Sequence, residues 1–306
     1  MVRGAYDLQR LRMQAGLRLC ANFRTKLGQV SGESEDELEE KAKRVIDVLR
    51  ESFVRLTDGI AKNRNLPAEK GFHGDEVISD YTELVLVSQY MSLESVERQQ
   101  FRQLETILPK FPIYNLFLKN VVGVGPAMAA VIISEFDIHR AKYVSSLWAY
   151  AGLDVGPDGR GRSRRKEHLV KRAYVDKKGN DAVRDSITFN PFLKTKLRGV
   201  LAGSFLRKKS PYADVYRDYK HRIESDPRKQ GVKDDGKPEW SKARINEAAK
   251  RYAVKMFLKD LYPIWRDLEG LEVHPPYGEG KLGMPPHSKP RGDRDGDGES
   301  SRIAAE

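Results

Sequence analysis

The chain has 306 residues, of which 39% are hydrophobic and 32% are charged, and its formal net charge at pH 7 is +11. This length is typical of two or three structural units, and the positive surplus favours an anionic partner, most often nucleic acid. The only cysteine, Cys20, excludes an internal disulfide framework and a cysteine-based zinc site, and it fits a reducing compartment.

The sequence predicts neither a secretory signal nor a membrane span. The first 26 residues are rich in arginine and contain no apolar signal core. The longest apolar runs are much shorter than the 20 or so residues that cross a bilayer. We therefore expect a cytoplasmic protein that does not associate with membranes.

The N-terminal third is predicted to be helical. Apolar residues recur at helical spacing over residues 1–27 with arginines between them, and a capping segment at 31–35 predicts a second helix that runs to about residue 62. Long helices with alternating charges are typical of coiled-coil-like pairs. We expect residues 1–110 to form a coiled-coil-like connector through which the chain forms a homo-oligomer. The arginines of the first helix fit a solvated face and a basic contact surface equally well.

The segment 121–153 carries the most informative motif. Gly123-Val124-Gly125-Pro126 separates an apolar pair from a helix of small residues, which is the pattern of a tight turn between two helices. Glycine allows the backbone to bend and to approach a neighbour closely, and Pro126 suits the first turn of a helix. The free N–H groups at that helix start can hold a phosphate. We interpret the motif as a helix-hairpin-helix that grips a nucleic-acid backbone through Gly123, Gly125 and Pro126; an ordinary turn between helices is the alternative.

Positive charge is concentrated directly after this motif. Between Asp158 and Lys178 there are nine Arg or Lys residues and three acidic ones. We predict a flexible basic loop, followed by a short hairpin at 174–180, whose bases contact phosphates. The predicted contact residues are Arg160, Arg162, Arg164, Arg165, Lys166, Lys171 and Arg172.

The rest of the chain completes a mainly α fold class. Helices are predicted after residue 190, and the strongest runs from Ser241 to Leu261. We expect residues 111–274 to form one helical domain that contains the helix-hairpin-helix. The Gly-, Pro- and Asp-rich residues 275–306 are predicted to form a disordered tail.

Taken together, these motifs resemble the C-terminal domain of the IS-110/IS-116/IS-902-class insertion-sequence transposases. The likeness rests on VVGVGPAMAAVII, on the A-Y-A-G-L block that follows it and on the basic loop, and it extends to Asn190-Pro191-Phe192-Leu193-Lys194. It covers about residues 1–270. The resemblance implies a DNA-binding protein of a bacterial mobile element that acts in DNA transposition and recombination, with DNA and a structured guide RNA as partners.

Two departures from the family pattern concern catalysis. Full-length members begin with an RNase-H-like domain that holds metal ions through four acids, and no such segment precedes residue 1. We therefore expect the chain to be truncated or to need a partner for strand cleavage, with Mg²⁺ entering only through a partner domain. Members also carry a nucleophilic serine in a Ser-Gly pair, at a point where this chain has Asp158-Gly159.

The closest substitute for the family serine is Ser163, which lies among arginines that could stabilise a phosphoryl-transfer transition state. Ser186 is the second candidate nucleophile. No pattern of acids or histidines in the chain fits a metal motif, and no cofactor is evident. Whether the chain is an enzyme is left open at this point.

Two other functions remain open alongside the transposase. One is a non-catalytic nucleic-acid-binding remnant or a domesticated derivative. The other is an all-α structural protein whose basic surface binds an acidic partner.

Overall fold

The chain is described by a computed structural model that covers residues 1–57, 66–232, 238–276 and 283. The described part is mainly helical, which confirms the predicted fold class, and its one sheet has two strands. It divides into two compact units, residues 1–106 and 107–306. The predicted tail at 275–306 lies almost wholly outside the described residues, as does the end of the second predicted helix. Among the helices described, none is both long and apolar enough to cross a membrane.

The first unit is helical throughout most of its described length. Its helices are Val2–Lys26 (α1), Glu40–Lys43 (α2), Val45–Thr57 (α3) and Tyr81–Ile107 (α4). Buried apolar residues of α1, α3 and α4, among them Phe23, Leu49 and Leu84, form its core.

Helices α1 and α4 are antiparallel neighbours. The ring of Tyr6 lies 5.5 Å from that of Phe101, whereas Lys26, at the other end of α1, pairs with Glu83 at 2.7 Å. Both helices are long, as the sequence predicts for the connector. A coiled coil between copies of the chain stays a prediction.

The start predicted for the second helix is wrong. Residues 31–35 form turns, and helix begins only at Glu40. The reason is local: the N–H and Oγ of Ser34 both donate to the Glu37 carboxylate at 2.9 Å. These bonds close a turn of the capping type without a helix following it directly.

The second unit contains the turn, the basic loop and the sheet. Its helices are Pro112–Leu116 (α5), Pro126–Glu135 (α6), Val144–Tyr150 (α7), Pro191–Lys194 (α8), Ala202–Arg207 (α9), Pro211–Glu224 (α10) and Lys242–Leu268 (α11), and its strands are Val170–Val175 (β1) and Asp181–Ser186 (β2). Short 3₁₀ turns lie at Leu108–Lys110, Leu118–Asn120, Lys166–His168 and Pro227–Lys229, and a π-helix, Thr195–Leu201, joins α8 to α9.

Helix α11 organises the core of this unit. It begins where the sequence predicts, and the Ser241 side chain caps it by accepting a hydrogen bond from the Arg244 N–H. Its buried face includes Phe257, whose ring lies 5.6 Å from those of Phe205 in α9 and Tyr212 in α10. The core thereby fixes α9, against which the glycine turn packs.

The two strands form an antiparallel ribbon. Val170 pairs with Ser186 at one end and Val175 with Asp181 at the other. The Asp176 carboxylate closes the connecting turn by accepting from the N–H groups of Lys178 and Asn180 at 2.7 and 2.9 Å. The predicted hairpin at 174–180 is confirmed, and the strands extend it in both directions.

Candidate nucleic-acid interface

The glycine turn is held by the helix behind it. Gly123 has φ +99°, a conformation that favours glycine, and an added Cβ would lie 2.8 Å from Cδ1 of Phe205. Its carbonyl accepts a hydrogen bond from Ser204 Oγ at 2.7 Å. The fold itself therefore needs glycine at position 123.

Gly125 differs from Gly123 both in its backbone conformation and in the space around its Cα. Its φ and ψ of −90° and 169° suit any residue, and among the described residues no atom lies within 4 Å of an added Cβ. It is exposed and immediately precedes Pro126, the first residue of α6. The start of α6 is therefore accessible, and glycine at position 125 is not a requirement of the fold.

The helix predicted before this turn is interrupted. The sequence predicts one helix over residues 113–122, but α5 ends at Leu116 and a 3₁₀ turn follows at Leu118–Asn120. Phe117, with φ −127° and ψ −62°, leaves the helical conformation, and the Asn120 side chain donates to the carbonyls of Asn115 and Leu116 at 3.4 and 3.3 Å. The turn thus joins a short, broken helical segment to α6.

The basic loop, residues 154–166, is closed by backbone contacts rather than extended. Val155 and Gly161 form an isolated antiparallel bridge, and the N–H of Gly156 donates to the Arg160 carbonyl at 2.7 Å. The Arg162 guanidinium binds one Asp154 oxygen through Nε at 3.0 Å and through its terminal nitrogen at 2.7 Å. The predicted flexible loop therefore has a defined internal structure.

The predicted phosphate-contacting bases differ in their exposure. Arg160, Arg164 and Lys166 are exposed, whereas Arg165 is half-buried and pairs with Asp158 at 3.3 Å, and Arg162 pairs with Asp154. The loop thus presents three bases to solvent and uses two of its arginines internally.

Lys171 and Arg172 lie on the exposed strand β1. Lys171 is opposite Asp185, whose carboxylate is 3.6 Å from the Lys171 ammonium, and Arg172 is opposite Arg184. Arg184 in turn lies over the Tyr174 ring at 5.1 Å. The ribbon therefore carries two arginines side by side on strands that are exposed over most of their length.

Ser163 lies at one end of a hydrogen-bonded serine, histidine and aspartate chain. Its Oγ is 3.0 Å from Nδ1 of His168, and Nε2 of His168 is 3.0 Å from Oδ1 of Asp158. The backbone N–H of Ser163 also donates to Nδ1 at 2.9 Å, which makes Nδ1 an acceptor. The neutral imidazole then carries its proton on Nε2 and donates it to Asp158.

The surroundings fix this chain of groups. His168 is 1% exposed, and it fits only because Gly156 has no side chain, since a Cβ there would overlap the imidazole. Arg165 donates to Ser163 Oγ from its backbone N at 3.3 Å and from Nε at 3.1 Å. The Arg160 N–H first of all, and then His168 and Arg165, hold the pKa of Asp158 below its ordinary value. A hydroxyl bonded to an imidazole that a carboxylate orients is an arrangement that can activate a nucleophile.

Sequence reasoning did not connect these three residues. In the sequence, Asp158 occupies the position of the family serine, and His168 is an isolated histidine. Their spacings of five and ten residues match no helical or strand period, so only the folded loop brings them together. Ser186, the second candidate, ends β2, and among the described side chains it is Ser163 that bonds to His168.

Lys194 is a further functional candidate that the sequence did not reveal. Its ammonium donates to the Arg162 carbonyl and lies 4.4 Å from the centre of the Phe189 ring. Burial above all, and also the nearby Arg198 and Arg251, lower the pKa of Lys194 to about 8. Lys194 thus joins α8 to the basic loop and is poised to change charge near neutral pH.

Residues 116–189 match the family model described as the transposase IS116/IS110/IS902 family. This match confirms the resemblance over these residues, and the matched segment contains the turn, the basic loop and the ribbon. No curated protein matches the chain. In the described ranges, no three His, Cys, Asp or Glu side chains are grouped so as to hold a metal ion.

Proposed function

We propose that the chain is a DNA-binding transposase of a bacterial mobile element that holds the phosphate backbone through the start of α6, the basic loop and the ribbon. The observation that carries the proposal is the exposed set of bases within the family-matched segment. These bases are Arg160, Arg164, Lys166, Lys171 and Arg172. Contacts of this kind give affinity without base specificity.

The ribbon supports a duplex as the partner. A two-stranded hairpin that is not covered by other structure is only marginally stable in water. Here Val175 and Val183 are 64% and 62% exposed, and Arg172 and Arg184 lie opposite each other. The major groove of DNA accepts a two-stranded ribbon, and its phosphates would relieve the repulsion between the paired arginines.

The test of binding is fluorescence anisotropy with labelled duplex DNA and a structured RNA of equal length over a range of salt concentrations. Binding to DNA with a steep salt dependence supports the proposal. Failure to bind either polymer at moderate salt would instead favour a structural protein with an acidic partner.

For strand cleavage, we propose Ser163 as the nucleophile and His168 as its general base. Ser163 Oγ would attack the phosphorus of a phosphodiester while its proton passes to Nδ1 of His168, and the bond from phosphorus to the leaving sugar oxygen would break. That oxygen would take a proton from solvent, and Arg165 would stabilise the charge on the phosphate. The support is the pair of 3.0 Å distances that link Ser163, His168 and Asp158.

The family resemblance implies that strand cleavage also uses an RNase-H-like domain with four acids and Mg²⁺, and within the described ranges no such group of acids is present. We therefore expect this chain to bind DNA alone but to show little or no strand transfer until such a domain is added. Nicking of duplex and single-stranded substrates, with and without the partner domain and Mg²⁺, tests this expectation. The alternative is a non-catalytic DNA-binding derivative, which Asp158 in place of the family serine favours; it predicts no cleavage under any of these conditions.

A further inference from the structure

An arginine-rich cavity of about 290 Å³ lies within the second unit, where the basic loop, the π-helix and the start of α11 meet. Five arginines and one tryptophan contribute to its lining: Arg160, Arg165, Arg198, Arg244, Arg251 and Trp240. Its volume is at the lower end of the range for small-molecule sites, which suits a ligand the size of a nucleotide or less.

The carboxylates of the cavity do not balance its arginines. Glu247 pairs with Arg198 at 2.7 Å, and Glu239 lies 3.5 Å from Arg244. These two are the only acids among the residues that line the cavity, against five guanidinium groups. The lining therefore keeps a positive surplus after its internal ion pairs are formed.

Arg251 differs from Arg165, Arg198 and Arg244 in having no bonded partner among the described residues. It is half-buried on α11, and within the described part of the chain it makes neither a hydrogen bond nor an ion pair. Its guanidinium lies against Gly161 of the basic loop, so closely that a Cβ at position 161 would overlap it. Gly161 thus gives the cavity room for a guanidinium that makes no hydrogen bond to the described residues.

The position of the Arg251 guanidinium is electrostatically unfavourable. A partly desolvated charge without a directly bonded counter-ion is unfavourable, and repulsion from Arg198 and Arg244 opposes the attraction of the nearby Glu247. Burial above all lowers the pKa of Arg251 below the ordinary arginine value; Arg198 and Arg244 act in the same direction, whereas Tyr219 and Glu247 act against it. An anion with several oxygens would relieve both effects, because guanidinium groups bind phosphate oxygens in pairs.

We propose that this cavity binds the phosphate group of a nucleotide, with Arg251 as its inner ligand and Arg160 and Arg165 as its outer ones. The cavity shares Arg160 with the proposed DNA-binding surface, but its other arginines are not among the exposed bases of that surface. The inference rests on the proposed function only for the source of the phosphate. Arg165 also contacts Ser163 Oγ, so the bound phosphate would lie beside the serine, histidine and aspartate chain.

The probes are thymidine 5′-monophosphate and an eight-residue oligothymidylate. Binding is followed by titration calorimetry and by tryptophan fluorescence, to which Trp240 in the cavity contributes. The variants are Arg251→Gln and Arg160→Gln, with Arg217→Gln as the matched control, since Arg217 is exposed on α10 and does not line the cavity. We expect the first two variants to weaken binding about 10-fold or more, as for loss of a charge-assisted contact, and the control to change it less than twofold. Arg160 is exposed, so its replacement remains informative even where Arg251→Gln impairs folding.

The two probes separate the sources of the phosphate. Equal affinity for both probes identifies a free mononucleotide as the ligand, whereas Arg251-dependent binding of the oligonucleotide alone identifies a backbone phosphate. Both results support the site. Unchanged binding in folded Arg251→Gln and in Arg160→Gln, or no binding of either probe to the wild type, overturns it.

The same titrations distinguish this proposal from the proposed function. Duplex binding that is lost with Arg164→Gln and Lys166→Gln, while binding of both probes is unchanged in Arg251→Gln and Arg160→Gln, would leave the DNA-binding proposal standing and remove the cavity. Arg251-dependent binding of the mononucleotide without any duplex binding would do the reverse.

Discussion

Replacing each of the two turn glycines separates the fold of the turn from its contact with nucleic acid. Gly123→Ala places a side chain at φ +99° and 2.8 Å from the Phe205 ring. The backbone strain costs about 1–3 kcal/mol and the overpacking a further 1–3 kcal/mol or so. We expect Gly123→Ala to lower the free energy of unfolding by about 2–6 kcal/mol.

Gly125→Ala causes neither backbone strain nor overpacking. Its backbone conformation is open to all residues, and no described atom lies within 4 Å of the new Cβ. Alanine restricts the unfolded chain, which stabilises by about 0.4–1 kcal/mol, but it is a slightly poorer helix cap than glycine. The free energy of unfolding should therefore change by less than about 1 kcal/mol, and the larger Gly125→Val should also retain the helical content.

The assay pairs urea denaturation with anisotropy on duplex DNA. If a phosphate contacts the start of α6, Gly125→Val should weaken binding about 10-fold or more, as expected for loss of a charge-assisted hydrogen bond, while stability is unchanged. Gly123→Ala should instead lower the free energy of unfolding. Wild-type affinity in Gly125→Val would show that the turn is only structural, and wild-type stability in Gly123→Ala would refute the packing against Phe205.

Three further predictions concern the loop and its neighbours. The first variant combines Arg160→Gln, Arg164→Gln and Lys166→Gln, which neutralises the three exposed loop bases. It should flatten the slope of the logarithm of the DNA-binding constant against log salt by up to about 3 units, and an unchanged slope would remove the loop from the interface. In the folded chain burial lowers the pKa of Lys194 from its ordinary value of 10.5 to about 8. At a pH between these two values, Lys194 is therefore protonated in the unfolded chain but neutral in the folded one. The stability of the wild type relative to Lys194→Met should therefore rise with pH over this window, by up to about 1 kcal/mol per pH unit in urea denaturation, and a flat difference would contradict it. With a partner domain present, Ser163→Ala should abolish cleavage, and His168→Gln should reduce it by about 100-fold or more at unchanged DNA affinity. Ser186→Ala should leave cleavage intact. Cleavage that survives Ser163→Ala would exclude Ser163 as the nucleophile.

The parts of the fold that the sequence predicted are those determined by local rules. Ser241 is a good cap before an apolar helical pattern, and α11 begins there. Gly123 lies at a turn, and the turn needs its positive φ. The local rules failed where two of them competed: the capping residues at 31–35 close a turn instead of a helix, and Phe117 interrupts a helix that its apolar neighbours predict.

The candidate site was less predictable because its members come from distant parts of the chain. The exposed bases could be read from the charge run, and their role in binding stays a prediction. Lys194 reaches the carbonyl of Arg162 from 32 residues away, and Arg251 reaches Gly161 from α11. Contacts at such separations leave no period in the sequence, so only the folded chain reveals them.

These distant contacts change how the basic loop would act. A flexible loop loses conformational entropy when it binds, and part of its contact energy is spent on ordering. Here Asp154 binds Arg162, Lys194 holds the same arginine's carbonyl, and His168 fixes Ser163 against Asp158. The loop is therefore ordered before any ligand arrives, with its exposed arginines on the outside and Ser163 within. Binding energy from the outer phosphates can then be used to position the phosphate beside Ser163, which is where preorganisation is most valuable for a reaction that depends on alignment.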